Sequence, residues 1–161
     1  MLSRTASLVL ALLFFVPSSE LFAQSQGFVA LSGSWSGSGS VRLASGAVER
    51  IRCQASYEVA PSGANFQQTL RCASDSYNFN LRASVVRSGD GAISGTWTET
   101  TRQATGGIAG RASGNSIQAT IRGPTFSASL SLATQGDRQT VSITSQGAEV
   151  SAVSIVLRRA G

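Results

Sequence analysis

Apolar and polar residues alternate along most of the chain. Between positions 51 and 59, the apolar residues Ile51, Cys53, Ala55, Tyr57 and Val59 are separated by polar or charged ones. A period of two places successive side chains on opposite faces of a β-strand. This segment is therefore predicted to be a strand with one buried and one solvated face.

The same alternation recurs along the chain, and turn signals such as Ser88-Gly89-Asp90-Gly91 and Gly123-Pro124 separate the runs. Helical spacing is absent from the sequence after residue 23. The pattern predicts an all-β fold, an antiparallel meander of about 8-10 strands. A closed β-barrel is favoured over a sandwich, because joining the two edges of a meander leaves no strand edge unpaired.

Two cysteines occupy opposed positions in a predicted hairpin. If Ser62-Gly63 form a two-residue turn, Cys53 lies directly across from Cys72. This pairing predicts a structural disulfide. The alternative, a reactive dithiol, is disfavoured because the chain has neither C-x-x-C spacing nor histidine. A second two-residue turn at Ser74-Asp75 would then place Tyr77 across from Cys72.

The first 23 residues have the order of a signal peptide. Arg4 precedes an apolar run from Leu8 to Val16, and Ala23 is a small residue at which cleavage can occur. We expect residues 1-23 to be removed, 24-32 to form an N-terminal arm and 33-161 to form a single β-barrel domain. The protein is then expected to be periplasmic or secreted, in a compartment where disulfides persist.

Positive charge is abundant but dispersed in the sequence. Arginine supplies all 13 basic residues, against 8 acidic ones, for a net charge of +5. The arginines are scattered singly from Arg42 to Arg159 and are not clustered between aromatic residues, so we expect no nucleic-acid partner. We interpret them as a solvated exterior, and weak attraction to an anionic bacterial surface is the alternative.

The sequence lacks the side chains of familiar catalytic sites. Without histidine or lysine, a serine nucleophile has no usual base, and zinc sites of the Cys/His type are excluded. The carboxylates of Glu58, Asp75 and Glu99 fall on different predicted strands, which favours exposed surface charge over a catalytic pair. We expect no enzyme, no metal and no cofactor.

Alternation alone does not say whether the apolar face points inward or into lipid. The aromatic residues become rare after Trp97 and are too few to form two girdles around a membrane barrel. Alanine and glycine are frequent on the apolar face, which suits a narrow interior. We therefore expect a barrel with its apolar face inside, no stable membrane insertion and a monomer.

Short segments resemble known barrel families. Gly33-Ser34-Trp35, together with Arg158 or Arg159 near the end of the last predicted strand, resembles the calycin signature of lipocalin-type barrels. The segment from Gly91 to Trp97 is similar to a strand of avidin-like barrels, and bacterial metalloprotease-inhibitor barrels also begin with a Gly and a Trp and carry one disulfide. The resemblance implies that Trp35 packs under an arginine from the closing strand.

Two functional hypotheses follow from these features. In the first, an exported non-enzymatic barrel binds a small apolar or amphipathic ligand, and the candidate cavity lining is Trp35, Tyr57, Phe79 and Trp97. In the second, the protein is an interaction module or inhibitor in the cell envelope that contacts an envelope protein through the arm or through the exposed arginine and serine faces.

Overall fold

The computed structural model describes residues 27-161, so the predicted signal peptide and the first residues of the predicted arm lie outside the described residues. A short 3₁₀-helix, Val29–Leu31, precedes ten strands. Within this described part, no helix is long and apolar enough to cross a membrane. The strands are β1 (Gly33–Leu43), β2 (Val48–Val59), β3 (Asn65–Ala73), β4 (Asn78–Arg87), β5 (Ala92–Glu99), β6 (Ala104–Ser113), β7 (Ser116–Arg122), β8 (Ser127–Gln135), β9 (Arg138–Gln146) and β10 (Val150–Arg159).

Every strand pairs in antiparallel fashion with its neighbours along the chain, and β1 also pairs with β10. This last pairing closes the sheet into a barrel of ten strands. Closure gives the backbone groups of the first and last strands hydrogen-bond partners within the barrel. The predicted all-β meander and its closure into a barrel are confirmed.

The hairpin of β2 and β3 has the register that the sequence predicts. Cys53 lies across from Cys72, and a disulfide joins them with Cα atoms 4.1 Å apart. The turn includes Gly63, whose φ of 69° lies in the left-handed region that glycine adopts most easily. One covalent bond therefore links two neighbouring strands of the barrel wall.

The predicted register of the next hairpin is wrong by two residues. Cys72 lies across from Phe79, not Tyr77. The backbone N–H of Ser74 donates to the carbonyl of Tyr77 at 2.8 Å, and the Ser74 hydroxyl also bonds to the Tyr77 backbone. These bonds stabilise a four-residue loop, 74–77, in place of a two-residue turn. A shift of two keeps the apolar face inside but moves Tyr77 off the strand and into the loop.

Two inward-facing glycines let β1 and β10 approach closely. A Cβ built on Gly39 would lie 2.7 Å from the Cα of Ile155, and one built on Gly37 would lie 2.9 Å from the Cα of Leu157. In both cases a carbonyl oxygen of β10 would be closer still. Only a residue without a Cβ fits at these positions, at the pairing where the barrel closes.

The two ends of the barrel differ. The end that carries loops 60–64, 88–91, 114–115 and 136–137 is covered by residues 27–32, which were predicted to form part of the arm; we call it the closed end. Phe28 and Leu31 are buried there. The backbone N–H of Phe28 donates to Gly63 at 2.8 Å, and its ring packs edge-on against Phe66. We call the opposite end, with loops 44–47, 74–77, 100–103, 123–126 and 147–149, the mouth end.

Trp35 and Arg159 lie together at the closed end. The indole N–H of Trp35 donates to the carbonyl of Leu31 at 2.7 Å, and the Arg159 guanidinium lies 4.2 Å from the indole ring centroid. Arg159 also donates to the carbonyls of Ala30 and Ser32. This is the contact implied by the resemblance, and it is made by Arg159; Arg158 instead pairs with Asp137 at the surface. The arginine thus joins the last strand, the first strand and the 3₁₀-helix.

Candidate functional site

The interior of the barrel contains a cavity of about 270 Å³. Its wall is formed by inward-facing side chains of the strands, nearly all of them apolar; Ile108, Leu130 and Val141 are examples. Several of these positions in the mouth half carry small residues, such as Ala104 and Ala128, so the side chains do not fill the barrel. The small residues predicted for the interior therefore leave space at the centre.

The cavity reaches the mouth end. The loops at that end contribute Tyr77, Arg102, Phe126 and Ala148 to its lining. The loops at the closed end contribute none of the described lining residues, and the 3₁₀-helix also stays outside the lining. A ligand would therefore enter between loops 74–77, 100–103, 123–126 and 147–149.

A buried polar network lies at the floor of the cavity. The Tyr57 hydroxyl donates to the Gln139 side-chain oxygen at 3.0 Å and accepts from the Gln68 amide at 3.0 Å. The Gln139 amide in turn donates to the Thr134 hydroxyl at 3.4 Å. Burial raises the pKa of Tyr57 and outweighs the opposing effect of its two hydrogen bonds, so the phenol stays neutral. These bonds satisfy polar groups that would be costly to bury alone.

A buried carboxylate lies at the rim of the mouth. Glu99, the last residue of β5, is 2% exposed, so the expectation of exposed surface charge is wrong for this residue. Its oxygens accept from the backbone N–H groups of Asn80 (3.0 Å), Thr101 (3.1 Å) and Arg102 (2.6 Å). Burial acts to raise the pKa of Glu99, but the backbone donors together lower it below its ordinary value. The chain bends back after β5, which brings these donors onto one side chain.

Arg102 places a guanidinium group beside this carboxylate. Its Nη1 lies 3.9 Å from a Glu99 oxygen and donates to the Asn78 carbonyl at 2.9 Å. The guanidinium carbon lies 4.2 Å from the centroid of the Tyr77 ring, a cation–π contact. The side chain remains 40% exposed. Arg102 is therefore a cation at the entrance of a mostly apolar cavity, held partly in place and partly open to solvent.

The buried position of Glu99 gives a pH-dependent stability. Because its pKa is lowered from the ordinary value of 4.5, ionised Glu99 adds to the free energy of unfolding above pH 4.5. This stabilisation is lost as the pH falls through the pKa of Glu99 in the folded state. We expect Glu99→Gln to have a lower free energy of unfolding than wild type at neutral pH. The gap between the two free energies should narrow in acid. Urea unfolding of both proteins at a series of pH values measures this gap; a gap independent of pH would contradict the assignment.

Three of the four aromatic residues predicted to line a cavity border it: Tyr57 at the floor, and Phe79 and Trp97 nearer the mouth. The Trp97 indole crosses over Gly106, where a Cβ would lie 2.7 Å from the indole nitrogen, and donates to a carbonyl of β7 at 3.2 Å. Trp35 does not border the cavity, because its ring is enclosed at the closed end under Arg159.

Sequence reasoning missed Arg102 and the buried state of Glu99. The signal present in the sequence is an acid followed three positions later by an arginine, directly after the Trp97 strand. This spacing is common in exposed loops, so it did not distinguish a cavity rim from ordinary surface charge.

The geometry defines a closed antiparallel barrel with an apolar interior that opens at one end. No protein-family model and no curated protein matches the sequence. Solved structures that share the fold include two that align over most of this chain. The S-type phycobiliprotein lyase CPES from Guillardia theta aligns with a TM-score of 0.62 and 8% identity over 83% of this chain and 90% of its own. Rv2717c from M. tuberculosis aligns with a TM-score of 0.63 and 13% identity over 83% of this chain and 94% of its own.

Both neighbours are antiparallel barrels of ten strands with the calycin-like, lipocalin-type fold. At these identities the likeness shows the fold alone. The expectation that the chain is not an enzyme is contradicted, because one of these barrels is a phycobiliprotein lyase. The absence of histidine and lysine excludes the chemistries that require those side chains. It does not exclude every enzymatic role, and the prediction that the protein is not an enzyme was wrong.

Proposed function

We propose that this protein binds a small amphipathic ligand inside the barrel. The observation that carries the proposal is an apolar cavity closed at its floor by the Tyr57 network and open at the mouth end. Ligand sites are typically concave, mostly apolar and provided with a few polar groups that fix orientation. The calycin-like fold of the two neighbours supports a ligand-binding barrel.

The size and charge of the cavity restrict the ligand. A volume of about 270 Å³ equals that of about nine molecules of liquid water, which suits a short alkyl chain or a single ring system. The wall provides apolar contacts, and Arg102 provides a cation at the entrance. The ligand we propose therefore has an apolar body inside the barrel and an anionic group at the mouth.

An interaction module or inhibitor that uses residues 24-32 has less support. Phe28 and Leu31 are buried against the closed end, so these two side chains are unavailable to a partner.

We further propose that the protein acts outside the cytoplasm. The Cys53–Cys72 disulfide and the signal-peptide pattern of residues 1-23 support this location.

Decanoate is a suitable probe for this proposal, and decanol is its uncharged counterpart. We expect calorimetric titration to give one bound decanoate for each protein molecule. Arg102→Gln should weaken decanoate about tenfold, because hydrogen bonds to charged groups contribute about 1.5 kcal/mol or more, and should leave decanol unchanged. An absence of heat with both probes would contradict the proposed function. Equal weakening of both by Arg102→Gln would contradict the role of this arginine.

A further inference from the structure

Five arginines that are separated in the sequence form a continuous row on the outer wall of the barrel. The register of β1 to β4 places each one beside the next. Arg50 and Arg52 are two residues apart on β2. The other neighbouring pairs, Arg42 with Arg50, Arg52 with Arg71 and Arg71 with Arg82, are diagonal neighbours on adjacent strands. Such neighbours lie about 7 Å apart on one face of a sheet. The row consists of Arg42, Arg50, Arg52, Arg71 and Arg82.

This arginine row is exposed and carries little compensating charge. All five side chains are exposed. Between residues 27 and 161 the ion pairs are Arg102 with Glu99 and Arg158 with Asp137, so none involves the row. The nearest acids along the chain are Asp75 and Glu49, and Glu49 is hydrogen-bonded to Ser76. The expectation that the arginines are dispersed singly holds for the sequence and fails for the folded surface.

An exposed apolar side chain lies within the row. Val48 faces Arg42 across the β1–β2 hairpin and is 55% exposed. Both residues stand next to loop 44–47 at the mouth end. Cationic side chains around a small exposed apolar group are typical of surfaces that bind the headgroup region of an anionic bilayer.

We propose that the arginine row docks the barrel on the surface of a bilayer that contains anionic phospholipids. The row runs through the mouth half of β1 to β4, so docking would hold the cavity entrance near the lipid, where amphipathic ligands partition; this last link depends on the proposed function. Single-stranded nucleic acid fits less well, because its binding sites place aromatic rings for base stacking between the basic groups. The outward positions around the row carry Ser38, Ser40, Gln54, Thr69 and Asn80.

The test uses the full barrel and vesicles of phosphatidylcholine, with or without an equal part of phosphatidylglycerol. We expect cosedimentation only with the phosphatidylglycerol vesicles, weakening as salt is raised. The triple variant Arg50→Gln, Arg52→Gln and Arg71→Gln should lower the partition coefficient roughly a hundredfold, since each basic group near an anionic surface contributes about fivefold. Circular dichroism verifies that the variant is folded.

A matched control removes the same charge from the closed end, through Arg111→Gln, Arg138→Gln and Arg158→Gln, and should retain most of the binding. Equal losses in the two triple variants would overturn the proposal, because they would show attraction by net charge alone. Binding of a DNA duplex through the row, without binding to vesicles, would also overturn it. Titration with decanoate in the absence of vesicles shows separately whether the cavity functions, so failure of docking and failure of ligand binding are distinguishable.

Discussion

Gly39→Ala should lower the free energy of unfolding by about 3 kcal/mol or more, the upper range for overpacking a tight site. The new methyl group would lie 2.7 Å from the Cα of Ile155 and closer to the Ser154 carbonyl, and both are backbone atoms of β10. Backbone atoms of a strand cannot move aside without disturbing the ladder between β1 and β10 that closes the barrel. Urea denaturation followed by tryptophan fluorescence measures the change.

Gly107→Ala is the matched control for this substitution. Gly107 also lies within a strand, β6, but a Cβ there would meet no atom within 4 Å. We expect a change within about 0.5 kcal/mol, as at other open surface positions. If the two alanine variants were equally stable, the close approach of β1 and β10 would not be a constraint on the fold.

Ala104→Trp should reduce decanoate affinity roughly a hundredfold, the second large effect that we expect. Ala104 is the first residue of β6, and its side chain faces the cavity at the rim. An indole at this position would occupy space near the entrance. Displacement of about four methylene groups of the ligand would cost about 3 kcal/mol of binding free energy. Calorimetric titration compares the variant with wild type.

Ala109→Trp places the same indole on the outer face of the same strand, where residue 109 is exposed. We expect this variant to bind decanoate with wild-type affinity. Loss of binding in both variants would show that tryptophan disturbs β6 itself, whereas unchanged binding in both would place the ligand somewhere other than the cavity.

Much of the fold follows from local rules that operate within a few residues. Alternation assigned the faces of the strands, because a half-buried strand selects apolar residues at every second position. Centring the β2–β3 hairpin between Ser62 and Gly63 predicted the observed register, with Cys53 across from Cys72, although the hydrogen-bonded turn runs from Ala60 to Gly63. The contact between Trp35 and Arg159 was implied by a resemblance and not by local pattern, since the two residues are far apart in sequence.

The missed features depend on geometry beyond the local pattern. The loop 74–77 is stabilised by side-chain and backbone bonds of Ser74, which a count of turn residues does not distinguish from a two-residue turn. The burial of Glu99 depends on three backbone donors that converge only after the chain bends. The arginine row depends on the registers of three successive strand pairs, so it is invisible in a linear sequence.

The hollow interior was an open question at the level of sequence, because side-chain volumes do not define the radius of a barrel. Closure through ten strands produces a circumference wider than the inward-facing side chains fill, particularly where Ala104 and Ala128 line the wall. The candidate lining residues follow from the inward face, except for Trp35, whose indole lies beneath the guanidinium of Arg159.

The most direct test of ligand binding inside the barrel is an NMR measurement of nuclear Overhauser contacts between decanoate and isotope-labelled methyl groups. Contacts should link the alkyl chain to the methyl groups of Leu130 and Ile108, which face the cavity. Val86, which is 51% exposed on the outer wall, should show none. Contacts to Val86 without contacts to Leu130 or Ile108 would contradict binding in the interior.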